Sequence, residues 1–153
     1  MPTPAPSPVP EGMSTITPHL WFNGNCAEAV EFYQSALGAR LQGDIVPGPQ
    51  GGVWHAMMSI GDSKIMAADA EGAHEHGPAD HTTVGFFLYV HDCDAWYDRA
   101  VAAGCTVIDP IEDMFWGDRV GKVKDPYGHT WAFATHKLVF SDEEMAAAMG
   151  PAD

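Results

Sequence analysis

The feature that most constrains this chain is one succession of elements that occurs twice. From Thr15, "TITPHLWF" reads as a strand, "NGN" as a turn, and "CAEAVEFYQSALGAR" as a helix. Cys26, Ala29, Val30, Tyr33 and Leu37 recur at helical spacing and make one apolar stripe. Asn25 is placed to cap that helix, with Glu28 as a capping-box partner, and Gly38 stands where a left-handed residue ends it. Extended segments follow at 41–46, 53–60 and 64–68, with Gly61-Asp62 as a tight turn between the last two. "TTVGFFLYV" then restarts the order. "HDCDAWYDRAVAAGC" is a second helix, capped by Asp92, striped by Cys93, Trp96, Tyr97 and Ala100, and ended by Gly104. Three more extended segments cover 106–108, 114–124 and 130–136. Cys26 and Gly38 are 12 positions apart, Cys93 and Gly104 are 11. Two β-α-β-β-β modules, each too small to bury its sheet alone, are expected to pack together.

The flanks read differently. Every second residue from Pro2 to Pro10 is proline, which favours extended polyproline and forbids helix, so residues 1–13 are expected to be a disordered lead. The domain spans 14–140: module one at 14–70, a linker at 71–81 and module two at 82–137. Residues 141–150 form a short helix with a Ser141/Glu144 capping box and a narrow apolar edge of Met145, Ala148 and Met149.

Twenty-one acidic residues against seven basic ones leave a net charge of −14, which excludes nucleic acid and anionic membrane surfaces as expected partners. The three cysteines are scattered and form no C-x-x-C pair, so neither a disulfide framework nor a zinc knuckle is implied. The opening "MPTPAPSPVPEG" lacks the basic start and apolar core of a signal peptide, and a reduced, cytoplasmic setting is expected. No Gly-rich phosphate loop and no G-x-S-x-G elbow is present.

"ITPHLWFNGNCAEAVEFYQSALGARL", "WHAMMSIGDSKIMAADA" and "MFWGDRVGKVKDPYGHTWAFATHK" resemble the PhnB-like branch of the vicinal oxygen chelate superfamily of glyoxalases, bleomycin-resistance proteins and dioxygenases. The resemblance covers about residues 15–137. It implies an α+β fold in which two tandem β-α-β-β-β modules form a curved mixed sheet with a central cup for a small ligand. It also implies a homodimer. In metal-using members it implies His and Glu ligands on the first and fourth strands of each module, which make the metal a Lewis acid. His19 is the one candidate at such a position. Module two offers Gly85 and Phe87 there, "TWAFATH" has Ala132 where a glutamate would stand, and "KIMAAD" has only Asp69 at its end. No cofactor is therefore expected, with a divalent metal kept as an alternative.

Candidate site residues follow from strand parity within that frame. His19 shares a face with Thr17 and Trp21. His55 shares its parity with Met57 and Ser59 in an otherwise apolar strand, and is a ligand contact or general base. Glu112 is a candidate acid/base partner; with Asp113 pointing the other way, the two carboxylates are no dyad. Trp21, Trp54, Phe87, Trp116 and Trp131 are candidate ligand-binding aromatics. Arg119 shares a strand face with Gly117 and Gly121, from which it either reaches the cup or pairs with a carboxylate. The linker "EGAHEHGPADH" carries His74, His76 and His81 without a structural zinc spacing and reads as a solvated connection or as a loop closing over the cup. His129 is expected to brace its turn; His136, at a strand end, belongs to no recognisable catalytic pattern. Cys26 and Cys93 read as small core residues. The expected function is small-molecule binding without the usual metal set. The alternatives are an isomerase or lyase using histidine acid/base chemistry, and then a metal-dependent glyoxalase- or dioxygenase-type enzyme.

Overall fold

The computed structural model describes residues 1–72 and 75–151. The chain divides into two compact units, 1–34 with 38–77 and 35–37 with 78–153. Each of the two modules builds its own sheet, and the duplication is visible in the strand order.

In module one, β1 (His19–Phe22), α1 (Cys26–Leu37), β2 (Arg40–Leu41), β3 (Val46–Pro47), β4 (Val53–Ile60) and β5 (Ser63–Asp69) follow in that order. The sheet runs β1-β5-β4-β2, and β3 also pairs with β4. β1 lies parallel to β5, and β5 lies antiparallel to β4 across the two-residue Gly61-Asp62 loop. The first strand begins later than its sequence suggests. Pro18 has no N–H to give the ladder, but its carbonyl accepts from Met66 N at 2.9 Å, and the strand pairs from His19 onward. The segment expected at 41–46 is broken into two short strands around Gly43, whose φ of +72° turns the chain.

Module two repeats the plan with β6 (Gly85–Tyr89), α2 (Cys93–Ala103), β7 (Thr106–Asp113), β8 (Asp118–Lys124) and β9 (Thr130–His136). The order is β6-β9-β8-β7, again with the last strand between the first and third and parallel to the first. β7 runs on to Asp113 despite Pro110, because it is an edge strand and two register shifts absorb the misfit. The strand expected from Met114 starts at Asp118 instead. Residues 114–117 form a turn, with Met114 N donating to Asp118 O and Gly117, at φ +102°, supplying the left-handed step. α3 (Asp142–Met149) has the expected capping box, and none of its residues is buried.

Alternation decides which face each strand buries. In module one Leu20, Phe22, Ala56, Met58, Ile65 and Ala67 are buried on one face, where the Tyr33 ring of α1 meets Phe22 at 6.2 Å. In module two Trp131, Phe133 and Val123 are buried under α2, whose Trp96 meets Phe133 at 6.1 Å. Gly121 lets α2 come close: a Cβ there would stand 2.7 Å from the Tyr97 ring.

Helix capping departs from the sequence reading in module one. Asn25 makes no side-chain cap bond. Its place is taken by Asp69 at the end of β5, whose carboxylate accepts from Cys26 N at 3.0 Å and from Val53 N at 2.9 Å. In module two Thr135 of β9 accepts from Cys93 N at 3.1 Å, while Asp92 caps Ala95 N as expected. Each module thus ties the first turn of its helix to its last strand.

Candidate functional site

The sheet faces turned away from the helices carry the candidate residues. In module one, strand register sets His19 beside Met66 and Met57, and Trp21 beside Ala68. His55, of the same parity as Met57, lies on this face too and is half-buried. The rings of His19 and Trp21 stand 4.3 Å apart. Partial burial and then the neighbouring His55 push the His19 pKa below its ordinary value, against an opposing pull from Glu75. Trp54 is 62% exposed and falls where the β3–β4 register shifts, so it stands out from the sheet.

In module two the corresponding face carries Phe87 and Tyr89 from β6, Ala132 and Ala134 from β9, Val120 from β8, and Glu112 from β7 in register with Val120. Met114 and Trp116 pack on Val120, Ala132 and Ala134. Phe87 and Tyr89 are 50% and 65% exposed, with rings 5.2 Å apart. At one end of this face the buried Asp118 gathers three side chains. Its Oδ2 accepts from Tyr89 OH at 2.9 Å and from Trp116 Nε1 at 3.0 Å. Its Oδ1 lies 2.8 Å from His136 Nδ1. Burial works against ionisation of Asp118; the bonds from His136, Tyr89 and Trp116 outweigh it and hold the carboxyl below its ordinary range. The same bond pushes the Tyr89 phenol up.

Two sequence candidates lie elsewhere. Arg119 points to the helix side, where its guanidinium holds Asp94 of α2 through Nε at 2.8 Å and Nη2 at 2.9 Å, and Asp113 at 3.4 Å. Of its two sequence readings, pairing with a carboxylate is the one realised. Trp131 is 1% exposed and donates to Asp125 at 2.9 Å, so it is a core residue and touches no open face. Asp125 also accepts from Tyr127 N and His129 N, which makes Asp125-Pro126-Tyr127-Gly128 a turn knotted by one carboxylate. Cys26 and Cys93 are buried as expected, and burial, helped by Asp69, pushes the Cys26 thiol up to about 12. His74 lies outside the described residues. Asp118, Tyr89 and His136 were missed as a group. The one available hint was that Tyr89 shares Phe87's parity and that His136 and Asp118 sit at facing strand ends.

Among the described residues no group of three His, Cys, Asp or Glu is placed to hold a metal ion. In module two Phe87 and Tyr89 line the first strand and Ala132 and Ala134 the last, and none of these can ligate through its side chain as His or Glu does. At these module-two positions the His and Glu ligands of the family's metal set are not offered.

The family model for the glyoxalase/bleomycin resistance protein/dioxygenase superfamily matches residues 16–133. The chain belongs to that superfamily. An uncharacterised protein of Mycobacterium bovis, Mb0911c, is 37% identical over 140 residues, covering 88% of this chain and 91% of the relative. The crystal structure of TioX from Micromonospora sp. ML1 superposes with a TM-score of 0.65 at 27% identity, over 80% of this chain and 98% of that one. A PhnB protein from Bacillus cereus shares the fold with a TM-score of 0.60 at 19% identity, over 80% of this chain and 99% of that one. The two tandem modules seen here are the superfamily's plan.

Proposed function

We propose that this protein binds a small, flat, partly apolar molecule on its open sheet faces, without the divalent-metal set of the superfamily's metal-using members. The supporting observation is that aromatic side chains remain exposed on the non-helical face, Phe87 and Tyr89 above all, with hydrogen-bonding groups at the margin. Quenching of tryptophan fluorescence by nitrobenzene, a flat probe that cannot ionise, tests binding directly. Saturable quenching lost in Phe87→Ala supports the reading; linear, collisional quenching overturns it. Elemental analysis of untagged protein tests the metal clause, since a stoichiometric, tightly bound ion would bring back the metal-dependent lyase or dioxygenase.

One observation favours a second reading, an enzyme that moves protons by histidine. Partial burial and then the neighbouring His55 lower the His19 pKa, which favours the neutral, proton-accepting ring. Turnover lost in His55→Ala or Glu112→Gln with the fold retained supports it. A ligand recovered unchanged after long incubation supports binding alone.

We take the working form to be a cytoplasmic homodimer. No helix among the described residues is long and apolar enough to cross a membrane. Sedimentation of the untagged chain as a monomer at micromolar concentration would overturn the dimer.

A further inference from the structure

The Asp118 cluster has a chemistry of its own. An ionised carboxylate can only accept, so the 2.8 Å contact with His136 requires the proton to sit on Nδ1. In the neutral form of such a ring the lone pair is on Nε2. His136 is half exposed, and no other described residue bonds to it. Asp118 itself is 3% exposed and bonds to side chains from three positions on two other elements and the preceding turn. That arrangement fixes one tautomer and one orientation of an exposed imidazole beside exposed rings. The other titratable groups on this face are Tyr89, which donates to the same carboxylate, and Glu112, one row away on β7. Lys122, two rows away, is engaged with Asp109 at 3.4 Å, and Lys137 follows His136 in the chain.

We propose that this end of module two takes a planar ligand bearing an ionisable hydroxyl and holds it as the oxyanion, with its proton carried on His136 Nε2. The ligand's ring lies on Phe87 and Tyr89. The O–H bond of the ligand breaks and the Nε2–H bond forms; no other reactant is needed. Asp118 balances the resulting imidazolium, and the oxyanion stays beside it as a charge-assisted hydrogen bond. His136 is the proton acceptor and Asp118 the positioning residue. The inference rests on the binding reading above and names the ligand class that this part of the surface selects.

The probe is 4-nitrophenol, which turns yellow when it ionises, with nitrobenzene as its non-ionisable partner. In the presence of saturating protein its apparent pKa should fall by at least one unit, about tenfold in the ionisation constant. His136→Gln should bind nitrobenzene as the native chain does and abolish the shift. Asp118→Asn should shrink the shift and move its pH profile; if that variant does not fold, the His136 variant decides alone. Nitrobenzene binding with no shift in the native chain, or an equal shift in His136→Gln, overturns this inference and leaves the binding reading standing. Binding of neither probe overturns both.

Discussion

Asp69 in module one and Asp118 in module two are both almost fully buried, at 4% and 3% exposure, yet they take different partners. Asp69 accepts two backbone N–H groups, at Cys26 and Val53. Asp118 accepts a phenol, an indole and an imidazole. The shared topology makes the two modules comparable position by position. Trp21 pairs with Ala68 as Tyr89 pairs with Ala134. Following the pairing across the sheets sets Ala56 against Gly121 and Met57 against Lys122. The capping duty of Asp69 passes in module two to Thr135, a neutral hydroxyl. Asp69 is thus spent on the backbone, while at the matching end of module two Asp118 is spent on three rings and Asp125 holds its own turn. A duplicated fold keeps the tie between helix and last strand, because that tie closes the module. It leaves the neighbouring positions open to different chemistry.

The comparison can be broken by substitution. Asp69→Ala leaves two buried N–H groups without a partner and should cost about 2–5 kcal/mol, the largest effect expected, read by denaturant unfolding. Asp118→Ala should cost less, about 1–2 kcal/mol, because its donors are partly exposed and can turn to water. A larger loss at Asp118 than at Asp69 would reverse the assignment of roles. Gly121→Ala drives a Cβ into the Tyr97 ring and should cost about 1–3 kcal/mol. In module one the residues at the corresponding places, Ala56 and Val30, are both buried. The double variant Tyr97→Val with Gly121→Ala should recover part of the loss, and a purely additive result would refute the pairing.

Acid separates the modules more gently. The folded pKa of Asp118 lies below its unfolded value of about 4, so its contribution is complete above that pH and disappears as pH falls through the folded value. The stability difference between the native chain and Asp118→Asn should shrink below about pH 4. A difference that grows on acidification would mean the carboxyl is protonated in the folded chain. The smallest effect is expected at Trp54, which is 62% exposed: Trp54→Ala should change stability by less than about 0.5 kcal/mol.

Much of this was legible in the chain itself. The duplication, both main helices with their apolar stripes, the Gly61-Asp62 hairpin and the Asp92 and Ser141 caps all follow from spacing within a few residues. Strand parity also grouped His19 with Trp21 and His55 with Met57. Periodicity cannot tell which face of β8 lies under α2, so the sequence allows Arg119 two roles, and Asp94 of α2 decides between them. Trp131 likewise could not be separated from its exposed neighbours by residue type alone.

What the sequence by itself determined is a matter of period: a repeat of 3.6 or of 2 selects element and face, because neighbouring residues share one backbone geometry. What only the tertiary structure decided is partnership across the chain. Asp69 meets Cys26 across 43 positions and Asp118 meets Tyr89 across 29. No local pattern encodes such pairs; they form when the sheet brings the two strand ends together and burial makes an unmet polar group costly.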